Sequence, residues 1–502
     1  MALSLIDKNL LNHGKCLLDF TDMPKITEKI GNISEEQIIN PKKELTFALN
    51  KYSLMNEEQK EIFDCVKNVF EHPEKNKGNC FYIDGPGGTG KSFVQIALFH
   101  LARGFGKKVT NMAFSGIAAT LLKNGRTVHN RFKLPLDLNS NSSSSIENGS
   151  NEAIEIRNTD VFIFDEAPMA PKYVIEIIDK KLRELHNNDI IFGGKILILS
   201  GDFRQCLPIK NKATKEEILD LCLQKSDLWI HFKVFHLNQN MRTNSEALNF
   251  SEQLLEIGNG KRNEQNYIFL PEVCDIKEKD LIEEIFGEII NTKEFSKLCS
   301  HCILAPYNRE INIYNEQILE KFQGEEYVFK SIDEAESKEA PILPEILNKL
   351  QTNSLPDHEL KLKINCVTKL IRNLNVNMGL CNGTRLQILD IEKNVLRVMI
   401  LTGDRTGEID FIPRITLIED KKLPYVLKRH QYPLKLAFCM TINGAQGQTF
   451  EKVGIDLTRD VFSHGQLYVA LSRTRSWEKI KVKYSKENLE KKIKNVVWLE
   501  AL

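Results

Sequence analysis

The stretch Cys80-Phe81-Tyr82-Ile83-Asp84 runs directly into Gly85-Pro86-Gly87-Gly88-Thr89-Gly90-Lys91-Ser92, and a helical apolar pattern follows over 92–102. No other feature limits the fold so strongly. A strand that turns through glycines into the first turn of a helix aims consecutive backbone N–H groups at one point. Those donors, with the positive end of the helix dipole, make a cradle for phosphate oxygens. The arrangement needs a covered parallel sheet whose strands are joined by helices. Lys91 is placed to reach the β and γ phosphates of a nucleotide, and the Ser92 hydroxyl to ligate Mg²⁺.

The rest of the chain is patterned to match. Apolar runs at 108–114, 161–165 and 196–199 read as further buried strands, and a second α/β region begins near Val234. At 502 residues the chain exceeds what one core usually supports. Residues 1–50 read as a polar N-terminal extension, 51–233 as a first unit and 234–502 as a second. The Ser/Asn-rich stretch 139–151 predicts a flexible, solvent-facing linker. Between about 365 and 430 the pattern changes to short strands at 385–389, 395–401 and 409–412 separated by turn signals, which predicts a small β-barrel inserted into the second unit. The α/β pattern then resumes with strands at 438–442, 453–457 and 480–484 and a helix over 464–473.

Lysine and arginine number 68 and aspartate and glutamate 68, so bulk charge announces no polyanion partner. Any nucleic acid must be held in a local groove. No apolar run is long enough for a membrane span, and Asp7, Asn9 and Asn12 interrupt the region a secretory signal would need. Eleven scattered cysteines suit reduced thiols; Cys299 and Cys302 read as free thiols, since no second pair completes a zinc site.

Two adjacent acids, Asp165 and Glu166, close the apolar run 161–165. Asp165 is the candidate partner of Mg²⁺ and Glu166 the group to take a proton from an attacking water. After the next strand, Gln205 is placed to sense the γ-phosphate. The chain lacks an Asn-Lys-x-Asp motif for guanine. Arg242 and Arg473, both in the second unit, are candidates to reach across and stabilise transition-state charge.

Eleven motifs then fall into one order: LMNEEQ, GPGGTGKS, FSGIAATLL, TVHNRFKLP, FDEAPM, LSGDFRQCLP, LNQNMR, ILAPYN, GLCNGTRL, FCMTINGAQGQTF and HGQLYVALSRTRS. In these the chain resembles the petite-integration-frequency family of 5′→3′ DNA helicases, in the RecD-like branch of superfamily 1. It is most similar to the helicase region of Helitron transposons. The resemblance implies an α/β fold of two RecA-like P-loop lobes with the small β-barrel inserted in the second. It implies ATP and Mg²⁺ as cofactors. Gln59 would read adenine, Gly85, Pro86, Gly87, Gly88, Thr89 and Gly90 would wrap the phosphates, and Arg242 and Arg473 would be the fingers. Single-stranded DNA would cross both lobes at Ser115, Gly116, His129, Phe132, Tyr307, Asn308, Gln446 and Gly447. The implied protein is a monomer on single-stranded and tailed duplex DNA, nuclear with mitochondrial or cytoplasmic placement as alternatives, with roles in repair, recombination or telomere maintenance. Two segments depart from the family. Gly444 and Ala445 stand where it carries Lys and Ser, and Lys369 interrupts what is elsewhere an apolar strand. The first motivates a second reading, a nucleotide-gated DNA-binding module with impaired coupling. A third, an RNA remodeller, leaves no distinguishing residue signature.

Overall fold

The computed structural model describes residues 40–502 except 73–78, 211, 242–244, 277–279, 337–341, 351, 353, 376–377, 393, 404 and 420–422. Six parallel strands form the first sheet: β1 (Cys80–Asp84), β2 (Val109–Ala113), β3 (Arg126–Thr127), β4 (Val161–Asp165), β5 (Ile196–Gly201) and β6 (Phe232–His236), in the order β3-β2-β4-β5-β1-β6. Every residue of β1 is buried, as expected when helices cover both faces of a parallel sheet. Alternation along β1 divides the packing. Phe81 and Ile83 meet Ile62, Phe63, Val94 and Leu98 of the helices Glu57–Glu71 and Lys91–Gly104. Cys80 and Tyr82 belong to the opposite layer, with Ile175, Ile178 and Leu182 of the helix Tyr173–His186.

β6 pairs in register with β1, Val234 opposite Tyr82. The strand around Val234 is therefore the edge of the first sheet rather than the start of the second unit. Part of the expected N-terminal extension is also ordered. Asn40 caps a helix over Pro41–Tyr52, with proline in its first turn, and Glu44 pairs with Arg103 at 3.2 Å and with His100 on the helix that follows the glycine loop. Residues 1–39 lie outside the described residues. The Ser/Asn-rich stretch is no free linker. Ser144 and Ser145 donate to the carbonyls of Phe132 and Lys133, Asn148 accepts from Lys181, and Ile146 is buried. Short polar side chains that capture nearby backbone groups fix this loop against the first lobe.

The second sheet is also parallel, in the order Cys439–Thr441, His301–Ala305, Lys452–Leu457, Ile480–Tyr484. Its core gathers Leu304, Ile455, Tyr468, Leu471 and Val482 with Phe250 and Leu254. Burial pushes the Cys302 thiol in this core up to about 12, so it is a neutral, inert side chain.

The insertion is β-rich and antiparallel, as its turn-punctuated sequence predicts, but its strands run from Tyr327 to Leu436 and so begin earlier than residue 365. One sheet has five strands (Ile409–Pro413, Val395–Ile400, Arg385–Ile391, Val367–Leu370, Leu434–Leu436). A second has three (Ile332–Glu336, Val426–Gln431, Ile415–Glu419), and Tyr327–Lys330 pairs with Glu359–Leu362. Arg429, wholly buried in the three-stranded sheet, donates to both carboxylate oxygens of Asp333 at 2.8 and 2.6 Å and to the carbonyls of Leu347, Leu350 and Pro356. A buried guanidinium whose donors are met in this way fixes the surrounding loops to the sheet. Among the described residues no helix is long and apolar enough to cross a membrane.

Candidate active site

The order of the first sheet brings the carboxyl ends of β4, β5 and β1 side by side, the usual place for a ligand in an open α/β sheet. From β1 springs the glycine loop. Lys91, first residue of the helix Lys91–Gly104, turns its ammonium onto the carbonyls of Gly85 and Pro86 at the mouth of that loop. Thr89 Oγ1 donates to Pro86 O at 2.9 Å and pins the loop internally. Space above Gly87 is open, so the cradle can admit a phosphate chain, and Ser92 is exposed beside it. Gln59 is fully buried. Its Oε1 accepts from the Asn56 N–H in a capping box, and its Nε2 donates to Thr89 O at 3.0 Å. Its amide thus ties the helix Glu57–Glu71 to the loop.

Asp165 ends β4 and accepts from Ser200 Oγ on β5 at 2.7 Å, while Ser200 in turn accepts from Gln95 of the loop helix. Ser200 and Gln95 thus tie the Asp165 carboxylate to β5 and to the helix that follows the glycine loop. A hydroxyl at Ser92 and a carboxylate at Asp165 are the hard oxygen donors that Mg²⁺ takes. The next residue, Glu166, is held in the left-handed region at φ 52°, ψ 38°. Backbone strain of this kind is concentrated at functional sites. Burial first, and the Asp165 carboxylate second, push the Glu166 carboxyl up to about 7, against the pull of Lys91 and Arg473.

The second lobe closes the cleft with the segment 443–449 and the helix Gln466–Leu471. A Cβ on Gly447 would stand 3.9 Å from Glu166 Oε1. Arg473 is buried and spends its donors on Val469 O (2.9 Å), Gln448 O (2.9 Å), Ala445 O (3.2 Å) and Ser472 Oγ (2.7 Å). Its charge acts on Glu166 from there. Gln205 is buried and faces Gln446, whose Nε2 is 3.5 Å from Gln205 Oε1. Arg242 lies outside the described residues.

Several residues that join the lobes went unremarked in the sequence. Tyr468 OH donates to Asp202 Oδ2 at 2.8 Å, and Arg204 bonds Asp202 Oδ1 and Asn259 Oδ1, both at 2.9 Å. His464 Nε2 meets Phe203 O at 2.8 Å while its Nδ1 accepts from the Trp498 N–H, the pattern of a neutral ring. Gly465 makes this approach possible: a Cβ there would fall 2.4 Å from Arg204 O, and its φ is +73°. Asp202, Phe203, Arg204, His464, Gly465 and Tyr468 sit within quoted motifs, yet the Tyr468–Asp202 and His464–Phe203 pairings, each across more than 250 positions, leave no local signal.

A groove of about 1200 Å³ runs between the first lobe, the helix Asn308–Lys321 and the insertion. Ser115, Gly116, Asn308 and Gln446 line it. Gly116 packs so closely on the insertion that a Cβ would meet Asn382 O at 2.1 Å. The other expected DNA residues are placed differently. Phe132 is wholly buried, 5.6 Å from the Phe162 ring, and is a core residue rather than a stacking platform. His129 is half-buried against Phe114, and burial lowers its pKa. Tyr307 stands 5.0 Å from the Phe462 ring with the Arg459 guanidinium over it. Gly447 faces Ala118 and Glu166 in the cleft.

The PIF1-like helicase family matches residues 54–267, and the 2B domain of DNA helicase Pif1 matches residues 345–391, together just over half of the chain. The chain is 26% identical over 478 residues to the ATP-dependent DNA helicase PIF1 of Danio rerio, covering 89% of this chain but 64% of that protein. It is 27% identical over 405 residues to the ATP-dependent DNA helicase Pif1 of Bdellovibrio bacteriovorus, covering 80% of this chain and 83% of that one. In fold it is similar to the crystal structure of Pif1 helicase from Candida albicans, with a TM-score of 0.64 at 22% identity over 89% of this chain and 97% of that one. Bacteroides Pif1 bound to ssDNA gives the same TM-score at 22% identity over 85% and 91%. On the matched segments and the two-lobed architecture, the chain belongs to the PIF1-like helicase family.

Proposed function

We propose that this chain is an ATP-dependent DNA helicase that hydrolyses ATP in the cleft between its lobes and moves 5′→3′ along single-stranded DNA held in the adjoining groove. One observation carries the reading. Groups from both lobes, Lys91, Asp165 and Glu166 from one and Arg473 and Gly447 from the other, converge on a single cleft that opens beside the groove. Lys91 and the loop N–H groups would bind the phosphates, and Ser92 and Asp165 would hold Mg²⁺, which neutralises phosphate charge when bound. Glu166, with its pKa near the working pH, is suited to accept a proton from water. The segment 443–449 joins the two sites. Gly444 lines the groove while the carbonyls of Ala445 and Gln448 hold Arg473. Strain or displacement by DNA at one end of the segment is thereby felt at the other. ATPase turnover measured with and without single-stranded DNA tests this reading. Turnover that rises with DNA supports it. Turnover that ignores DNA despite tight binding supports the nucleotide-gated module instead, the reading favoured by Gly444 and Ala445.

A further inference from the structure

Three cationic side chains stand in a row across the five-stranded sheet of the insertion. Lys369 is the cross-strand partner of Arg385 on one side and of Lys435 on the other. Directly opposed residues share a face of the sheet, and all three line the groove. Like charges so opposed destabilise a sheet, so each needs an explanation. Arg385 has one: it is buried and donates to Cys299 O at 2.8 Å and Ala437 O at 3.1 Å. Lys435 donates to Thr352 O at 2.9 Å and has the Asp357 carboxylate acting on it. Lys369 has neither. Among the described residues no carboxylate offsets its charge, and burial together with the charges of Lys435 and Arg385 lowers its pKa. Its strand neighbours Val367 and Leu370 are wholly buried, so an apolar side chain would suit the position for stability alone.

The helix Asn308–Lys321 brings Glu316 and Glu320 to the groove with one cation, Arg309, while on the insertion side Glu326, Asp357 and Glu359 are outnumbered by Lys349, Lys361, Lys369, Arg372, Arg385 and Lys435. The positive excess therefore lies on the insertion side, and a polyanion entering the groove is drawn there. We propose that Lys369, flanked by Lys435, is a docking point for a backbone phosphate of single-stranded DNA, on the insertion side of the groove. This inference rests on the proposed DNA-translocating function and adds to it a contact from the insertion. A phosphate there supplies the counter-charge that the fold withholds.

The test is binding of a fluorescent oligo-dT, which offers no base code, at several salt concentrations. Wild type is compared with Lys369→Met, Lys369→Gln, Lys369→Arg and, as a charge control away from the groove, Lys67→Met. Removing one phosphate contact should weaken binding roughly 3- to 10-fold at low salt and flatten the log–log salt slope by about 0.7, the value for one contact on a single strand. Lys369→Arg should retain both. Melting temperature should not fall in Lys369→Met, because the substitution removes a like-charge row; if that variant nonetheless misfolds, Lys369→Gln gives the same reading. The proposal is overturned if Lys369→Met or Lys369→Gln, folded, binds with wild-type affinity and slope, or if Lys67→Met loses as much. Loss confined to an oligo-U of equal length would overturn the assignment to DNA. Failure of the wild type to bind any oligonucleotide would remove the helicase reading itself.

Discussion

Glu166 concentrates the chemistry of the cleft in one side chain. It sits in left-handed backbone, beside a second carboxylate, with its own carboxyl pushed up to about 7. Glu166→Gln should keep nucleotide affinity while slowing hydrolysis on the order of 10²- to 10⁴-fold, the usual worth of a positioned acid or base. A fluorescent nucleotide titration alongside turnover separates the two, and loss of affinity would make Glu166 a ligand instead. The same shift has a signature in stability. A carboxyl whose folded pKa is raised contributes nothing unfavourable while protonated, and costs stability as pH climbs from the ordinary carboxylate range through about 7. Glu166→Gln should therefore melt higher than wild type at pH 8 and show little difference near pH 5. Lys91→Ala should cut turnover by roughly 100-fold or more, as loss of a donor to transition-state charge does, with its melting temperature kept because Lys91 fills no core space. Sequence told which residue types stand at this site, because glycine loop and paired acids each follow a strand directly. It could not tell that Gln95 and Ser200 hold Asp165, or that Arg473 is committed to carbonyls, since those contacts depend on how distant elements meet.

At the scale of elements, the helix Gln466–Leu471 is a point of contact between the lobes. Its Tyr468 reaches Asp202 just beyond β5, and the preceding Gly465 lets the backbones touch. Tyr468→Phe keeps the buried ring and removes only the hydroxyl. It should lower unfolding stability by about 1.5–3 kcal/mol, the range for a hydrogen bond to a charged group, and weaken stimulation of turnover by DNA. Denaturant unfolding with parallel ATPase assays checks both, and unchanged stability would mean the lobes are held elsewhere. Strands and helices of the two lobes were readable from apolar periodicity; the strand Ile480–Tyr484 lies where the pattern put it. The readings that failed rested on composition and on the resemblance rather than on periodicity. The stretch 139–151 looks like a linker by composition but is bound by its own serines, and Phe132 looks like a binding aromatic but completes a core against Phe162.

For the whole molecule, two parallel sheets and an antiparallel insertion divide three tasks among one chain: phosphate binding, closure of the cleft and enclosure of the groove. The net charge is zero, yet Lys369, Arg385 and Lys435 place positive charge together on one wall of the groove. That two α/β units flank an inserted β region was legible from the return of the apolar pattern after residue 430. The insertion's earlier start was not, because strands such as Ile332–Glu336 carry more charge than apolar surface. Strand separation of duplexes bearing either a 5′ or a 3′ single-stranded tail, with and without ATP, tests the central claim most directly. The account predicts ATP-dependent separation of the 5′-tailed duplex, abolished in Glu166→Gln. Separation without ATP, preference for the 3′-tailed duplex, or no separation of either in a protein that hydrolyses ATP would contradict it.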